Sequence, residues 1–450
     1  MRLIMRAAVV GTATALIAAV GVTAATADPS SEPSEEQTNG QASLEELGLA
    51  PGDSGLADPF YQPPAELPAA GSMIRTEAAP HLLGMAGIGW PGSAEKILYS
   101  STNDVGETVA VSGVVIEPSG SWDGAGERPT VVVAPGTMGQ GDQCAPSNQE
   151  GLLASFDSDS NSVGFNYEIL NAYTASALGM RVVITDYIGM GTPGVHTYMN
   201  RVDQGNAVID AARAALSHAG LPADSPVGFL GYSQGGGAAA SATELVGSYA
   251  PELNLKGTYA GAPPADLSAV VPAVDQGLIF GVLGYSLNSG LEYREDLAPL
   301  VTEHLNDKGV KFLQDSREHC LLDSIINYPL IDSSTLTSSG NDFATLLSDI
   351  PEIKSYIDDQ KLGQLNVSTP IMVQSGVSDD VIPYDQAAQL GRDYCGQGSA
   401  VSFHTNTIPS ILPKSALGHI LPMLSDIPVS MQYLNSAFNG EELSNDCGSF

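Results

Sequence analysis

The stretch Pro226–Leu245 reads PVGFLGYSQGGGAAASATEL, and its centre, Gly231-Tyr232-Ser233-Gln234-Gly235, is a G-x-S-x-G pattern. The apolar run Val227-Gly228-Phe229-Leu230 before it suits a buried strand, and the small residues from Gly235 to Ala242 after it suit a closely packed helix. A serine between such elements sits on a strained turn, and the residues two before and two after it must be small so that strand and helix can approach. Gly231 and Gly235 fill those places. The turn exposes the hydroxyl at a helix N-terminus, whose unpaired N–H groups face an oxygen that gains charge during acyl transfer. The bare pattern arises by chance in a chain with 49 glycines; the strand and helix around it make Ser233 a candidate nucleophile.

Outward from this elbow the chain alternates. Pro129–Ala134 (PTVVVA) and Arg181–Asp186 (RVVITD) are short apolar runs followed by Gly-rich loops and read as interior parallel strands. Arg201–Ala219 carries apolar residues at helical spacing, and further strands are expected at 255–261, 370–376 and 400–407, with a last helix at 431–438. Ala94–Pro118 divides into two β-rich runs around Asn103-Asp104-Val105-Gly106 and reads as a hairpin. The pattern implies a doubly wound, mostly parallel α/β sheet with its ligand site beyond the strands' carboxyl ends. Between about 264 and 365 the β-rich alternation is lost, and a helical insertion of this length reads as a cap. Its apolar residues Val270, Val271, Leu278, Ile279, Phe280, Val282 and Leu283 serve either as a lid that meets acyl chains or as the cap's own core.

The 450 residues allow one enlarged α/β domain or two smaller ones. Residues 1–27, with Arg2 and Arg6 before an apolar run and Ala25-Thr26-Ala27 at its end, read as a secretory signal peptide, so the protein is expected outside the cell. Its removal leaves 15 basic against 51 acidic residues, a formal charge of −36. That surface disfavours nucleic acid, which needs a basic footprint, and repels anionic membranes and polymers. Residues 28–70 are rich in Ser, Pro, Glu, Ala and Gly and read as a flexible acidic leader, with one short helix around Leu44–Leu49; a spacer and an arm packed on the catalytic domain are equal readings. The catalytic domain is expected over 71–450. Cys144, Cys320, Cys395 and Cys447 are an even count in an exported chain, so two disulfides are expected, and spacing leaves all three pairings open.

A serine hydroxyl needs an imidazole to take its proton and a carboxylate to hold that imidazole in the right tautomer. In this architecture the partners follow the serine in the order acid, then histidine. Asp379, in Gly376-Val377-Ser378-Asp379-Asp380-Val381-Ile382-Pro383, is preferred as the acid over Asp380, which would be its solvated neighbour. His419, expected in a loop after the last strand, is preferred as the base over His404, which lies within a strand; His196 and His218 precede the serine. The oxyanion needs two preorganised donors, expected at Gln234 and at Thr137 in Pro135–Gly139, with Met138 in reserve. Asp157, Asp159, Asn161 and Glu168 fall at calcium-loop positions, but Ser162 stands where that loop requires glycine; no metal or other cofactor is expected.

The pieces Tyr99-Ser100-Ser101 with Gly106–Pro118, Cys144-Ala145-Pro146-Ser147, Asp186-Tyr187-Ile188-Gly189, Gly231–Gly236 and Tyr249-Ala250-Pro251-Glu252-Leu253 resemble the secretory lipase family. The resemblance implies an α/β-hydrolase fold with a helical cap after the sixth strand, and a triacylglycerol lipase or esterase acting on fatty-acid esters. It puts Ser233, Asp379 and His419 at the triad positions and implies the pairings Cys144–Cys320 and Cys395–Cys447. The oxyanion loop, the leader and the cap depart from the family pattern. The expected partners are a lipid or other ester substrate and, transiently, a lipid interface, with no obligate protein partner. The rival readings are a short-chain carboxylesterase, an acyltransferase that uses an alcohol in place of water, and a non-catalytic binding protein on a hydrolase fold.

Overall fold

A computed structural model describes residues 43–50, 55–81, 87, 89–151, 153–158, 160 and 162–450. The expected signal peptide lies outside these residues. Strands β1 (Met73–Ala78), β2 (Gly92–Thr102), β3 (Thr108–Pro118), β4 (Thr130–Ala134), β7 (Arg181–Thr185), β8 (Pro226–Tyr232), β9 (Asn254–Gly261), β10 (Ile371–Gly376) and β11 (Val401–Asn406) form one sheet. Its order is β1-β2-β3-β7-β4-β8-β9-β10-β11. From β7 to β11 every pairing is parallel, whereas β1, β2 and β3 join antiparallel. The expected hairpin is present, with Thr102 opposite Thr108. The short strands β5 (Ala154–Asp157) and β6 (Ser162–Phe165) pair only with each other.

The central strands read as unbroken apolar runs because both faces are covered. Val132 of β4 joins Val183, Phe229 and the alanines of the helices Arg201–His218 and Gln234–Tyr249 in one layer. Val131 and Val133 face the other way, toward Ile169, Ala172 and Leu434 of the helices Ile169–Ala177 and Ile427–Phe438. This period-two division puts the serine-bearing turn at the carboxyl end of a central strand.

The stretches that carry the family resemblance meet in space. Asp210, fully buried, accepts hydrogen bonds from Ser101 Oγ at 2.8 Å and Tyr249 Oη at 2.7 Å, while Arg213 bridges it to Glu252. Asp186, also fully buried, accepts from Ser112 Oγ at 2.6 Å and from the Ser147 N–H and hydroxyl. Burial pushes the Asp186 carboxyl up to about 6. The contacts of Asp210 and Asp186 hold strands to the helices and loops beside them.

Residues 264–365, between β9 and β10, are helical, with helices at Leu267–Val274, Val282–Tyr293, Ala298–His304, Asp307–Glu318, Leu321–Asn327, Phe343–Asp349 and Pro351–Asp359. They carry their own core around Phe280, Phe312, Leu313 and Leu336. Part of the segment expected as a flexible leader packs as an arm. Leu49 is buried in the helical core, the Leu47 carbonyl accepts from Gln314 Nε2 at 2.6 Å, and Leu49 N–H bonds back to Leu44. Tyr61 is fully buried beside Ser147, and Lys96 Nζ lies 4.5 Å from the Phe60 ring centre. Two buried aromatics outweigh the polar composition around them.

Of the three open pairings, the disulfides are Cys144–Cys320 and Cys395–Cys447. The first joins the loop after β4 to the helical segment. The second fastens the C-terminal tail, whose Phe450 ring stacks on Phe403 at 4.2 Å.

Candidate active site

Ser233 takes φ 61° and ψ −125°, a backbone conformation that a non-glycine residue adopts only under constraint. The constraint is crowding. A Cβ at Gly231 would stand 2.0 Å from the Gly235 carbonyl oxygen, and one at Gly235 would stand 2.0 Å from that of Ala134. Strand, turn and helix thus pack at a distance only glycine permits, and the Ser233 N–H is fixed to the Gly261 carbonyl at 2.9 Å. The helix that starts at Gln234 leaves that residue's N–H without an intrahelical acceptor.

His419 lies in the first turn of the helix Leu417–Ser425, one structural step on from the loop expected for it. Its Nδ1 is 2.7 Å from Asp379 Oδ2, and both side chains are almost wholly buried. The second oxygen of Asp379 accepts the N–H groups of Val381 at 2.9 Å and Ile382 at 2.8 Å. A carboxylate held this way fixes the ring's orientation and keeps a proton on Nδ1. His419 Nε2 is buried without a hydrogen-bond partner among the described residues. It faces the same space as Ser233: both line a cavity of about 290 Å³, with Thr137, Leu278, Ile279 and Val282 among the other walls.

The cap's apolar residues divide between the cavity wall and the cap's own core. Leu278, Ile279 and Val282 line this cavity, whereas Val270, Phe280 and Leu283 are buried in the cap's core, and Val271 and Leu283 border a separate inner cavity of about 100 Å³.

The loop after β4 is held from several sides. Thr137 Oγ1 bonds Tyr198 Oη at 2.7 Å, Tyr187 Oη donates to the Pro135 carbonyl at 2.7 Å, and Glu168 accepts the Gly136 N–H at 3.3 Å. Met138, the reserve donor, turns its carbonyl to the Leu321 N–H at 2.8 Å, and its side chain packs with the Cys144–Cys320 disulfide. Thr137 rather than Met138 lines the cavity.

Several residues that sequence reasoning passed over support this arrangement. Tyr232 Oη donates to the His419 carbonyl at 2.7 Å. Gln140 is a buried hub: its amide nitrogen donates to the carbonyls of His196 and Tyr285, and its oxygen accepts from Asn288. His196, set aside because it precedes the serine, lies under Gln234. Its Nδ1–H donates to the Ile188 carbonyl, and its Nε2 accepts from Gln234 Nε2 at 3.0 Å. Burial pushes the His196 imidazole down to about 4, so it stays neutral in this role. A polar residue beside a motif gives no sequence signal of this kind, because its partner is far away along the chain.

The rival histidine, His404, sits within β11 with Nε2 3.5 Å from Asp426, which also accepts from Asn406 and Gln374. It belongs to a separate structural network. Asp380, expected in solvent, is instead partly buried and accepts two N–H groups of the loop before His419, those of Ser415 and Ala416. Of the weak calcium pattern, Asp159 and Asn161 lie outside the described residues, and Glu168 is turned away to Gly136 and Asn171.

A parallel sheet with a serine elbow at the carboxyl end of a central strand, covered by helices inserted before β10, defines the α/β-hydrolase fold. The secretory lipase family model matches residues 154–446, and the chain belongs to that family. The chain is 28% identical over 405 residues to a Mycobacterium tuberculosis protein described as a probable inactive lipase, covering 86% of this chain and 83% of the other. It is 26% identical over 407 residues to lipase A of Moesziomyces aphidis, covering 87% and 82% of the two chains. Among solved structures it is similar to Candida antarctica lipase A in its closed state, with a TM-score of 0.74, 24% identity, and coverage of 87% and 88%.

Proposed function

We propose that this protein is a secreted serine hydrolase that cleaves carboxylic esters of fatty acids by way of an acyl-enzyme. His419 Nε2 takes the proton of Ser233 Oγ as that oxygen attacks the ester carbonyl. Asp379 steadies the imidazolium, and the backbone N–H groups of Thr137 and Gln234 receive the oxyanion. The imidazolium then protonates the leaving alcohol, and water, activated by the same histidine, releases the acid. The observation that carries this reading is the pairing in one cavity of a strained serine and a histidine whose far nitrogen is held by a buried carboxylate while its near nitrogen is unpaired.

The cavity wall favours an apolar acyl group over a polar one, since Leu278, Ile279, Val282 and Met423 border it. Leu153, Ile420 and Leu424 line the cavity and are also exposed, and Phe156, Ile411 and Leu412 stand exposed close to them in the chain. The exposed Leu153, Ile420 and Leu424 at the cavity suit a substrate presented at a lipid surface. The similarity to a relative described as inactive makes activity the point to test.

The test is hydrolysis of p-nitrophenyl esters graded from short to long acyl chains, by the mature protein and by Ser233→Ala side by side. Serine-dependent turnover that extends to long chains is the expected result. Turnover confined to short chains would make the protein a carboxylesterase, added alcohol would expose acyl transfer in the products, and activity unchanged in Ser233→Ala would overturn the assignment.

A further inference from the structure

The loop that carries His419 into place is held in a conformation its residues do not prefer. Lys414 has φ 63° and Ala416 φ 64°, so two non-glycine residues within three positions are left-handed. Ala416 is the N-cap of the histidine's helix, and its carbonyl accepts the N–H groups of both His419 and Ile420. Backbone of this kind persists only where the surroundings over-determine it.

Two side chains supply that constraint. Asp380 Oδ2 accepts the N–H groups of Ser415 and Ala416, each at 3.0 Å. The approach is close: a Cβ at Gly418 would stand 2.1 Å from the Ser378 carbonyl oxygen and 3.0 Å from Asp380 Oδ1. Lys414 Nζ donates to the carbonyls of Pro272, Ala273 and Asp275 at 3.2, 2.6 and 2.8 Å, around the end of the cap helix Leu267–Val274. A cation at a helix C-terminus also meets the negative end of the helix dipole. The Lys414 carbonyl in turn accepts the Leu278 N–H at 2.7 Å, so the loop is bonded to a residue that lines the catalytic cavity.

We propose that Asp380 is a positioning residue for His419 and that Lys414 anchors the same loop to the cap, so that one short loop sets both the general base and an apolar wall of the same cavity. Asp380 acts by placing a hydrogen-bond acceptor, not by its charge. The inference rests on the serine-hydrolase reading above.

The experiment compares Asp380→Asn, Asp380→Glu and Asp380→Ala in the full mature chain, with kcat and KM measured on a soluble short-chain p-nitrophenyl ester and Ser233→Ala as the floor. Asparagine keeps an acceptor oxygen where Oδ2 stands, whereas glutamate keeps the charge but displaces it by a methylene group. Because small misplacements of a catalytic group are costly, Asp380→Asn should stay within ~3-fold of wild-type kcat while Asp380→Glu and Asp380→Ala lose at least ~10-fold with KM little changed. If Asp380→Ala fails to fold, the asparagine and glutamate pair still decides. Full kcat in Asp380→Glu with loss in Asp380→Asn would mean a charge effect and overturn the proposal, as would full kcat in Asp380→Ala. Lys414→Met should lower kcat on the same ester by at least ~3-fold, with Lys414→Arg nearer to wild type; unchanged kcat in Lys414→Met would overturn the cap half. Activity retained in Ser233→Ala would remove the underlying reading, whereas its loss there with full kcat in Asp380→Ala would remove this inference alone.

Discussion

Replacing Asp379 by asparagine changes one atom and forces a choice on the site. Oδ1 of Asp379 serves two backbone N–H groups and Oδ2 serves His419 Nδ1. The amide has a single acceptor oxygen, so one side must receive an NH2 group. Turning the NH2 toward Val381 and Ile382 would strand two donors, at about 1–3 kcal/mol each. Turning it toward His419 strands neither, provided the imidazole moves its proton from Nδ1 to Nε2. That second arrangement is the cheaper, and it places a proton on the nitrogen that, in the proposed mechanism, accepts one from Ser233. The side chain keeps its shape, so folding should be preserved. Loss of the correct tautomer and of the charge that steadies the imidazolium should lower kcat by about 10³–10⁴-fold, equivalent to roughly 4–5.5 kcal/mol of barrier. Hydrolysis of a soluble p-nitrophenyl ester measures it, with Ser233→Ala as the floor and a thermal melt to verify the fold. A folded Asp379→Asn protein that keeps kcat within tenfold of wild type, while Ser233→Ala is dead, would show that the base is not held by this carboxylate.

Stability should rise as the pH falls from about 7 toward 5. Burial pushes the carboxyls of Asp142, Glu168 and Asp203 up to about 7 and that of Asp186 up to about 6, and it raises those of Asp210 and Glu244, so the folded state keeps protons that the unfolded chain releases near its ordinary carboxylate values. Stability is then lost as pH rises across that interval and levels off above it; for Glu168 alone the difference is roughly 3 kcal/mol. His196 and His319, both pushed down by burial, act in the opposite sense. The raised carboxyls outnumber the two histidines and predict a net gain on acidification, and a melting temperature that falls between pH 7 and 5 would refute it. Removing the Cys144–Cys320 disulfide by paired serine substitutions frees a loop with a sequence separation of 176. Chain entropy alone sets that loss near 5 kcal/mol, and an unchanged denaturation midpoint would contradict it.

What the sequence made legible is what depends on local pattern. The strands and the elbow were readable because apolar runs, glycines and turn residues act within a few positions of one another. Asp379 and His419 are singled out by their order and setting after the elbow, and the structure brings their side chains to 2.7 Å of each other. The role of Asp380 was misread because its partners, Ser415 and Ala416, lie 35 and 36 residues on. Strand β1 and the β5–β6 hairpin were missed because they sit at the margins, where no continuous buried run marks them. The packed arm was hidden by composition: Leu49, Phe60 and Tyr61 are isolated apolar residues in a polar stretch, and only their burial against distant elements gives them weight.

The same contacts bear on how the cavity can admit substrate. The loop beside the proposed oxyanion site is tied to the helical cap by the Cys144–Cys320 bond, by the pairing of Gly139 with Cys320, and by Gln140, which reaches Tyr285 and Asn288 within the cap. The histidine loop is tied to the cap through Lys414 and Leu278. A cap swinging away as a rigid body would have to break the buried bonds of Gln140 and drag the loops of the proposed oxyanion site and of His419 with it, dismantling the proposed site as it opened. Interfaces as closely packed as these move between discrete arrangements rather than by continuous bending. Any opening that leaves the site intact must therefore be confined to side chains and segments without such ties. Leu153, Ile420 and Leu424 line the cavity with exposed side chains, and an opening of that kind would fall on those side chains.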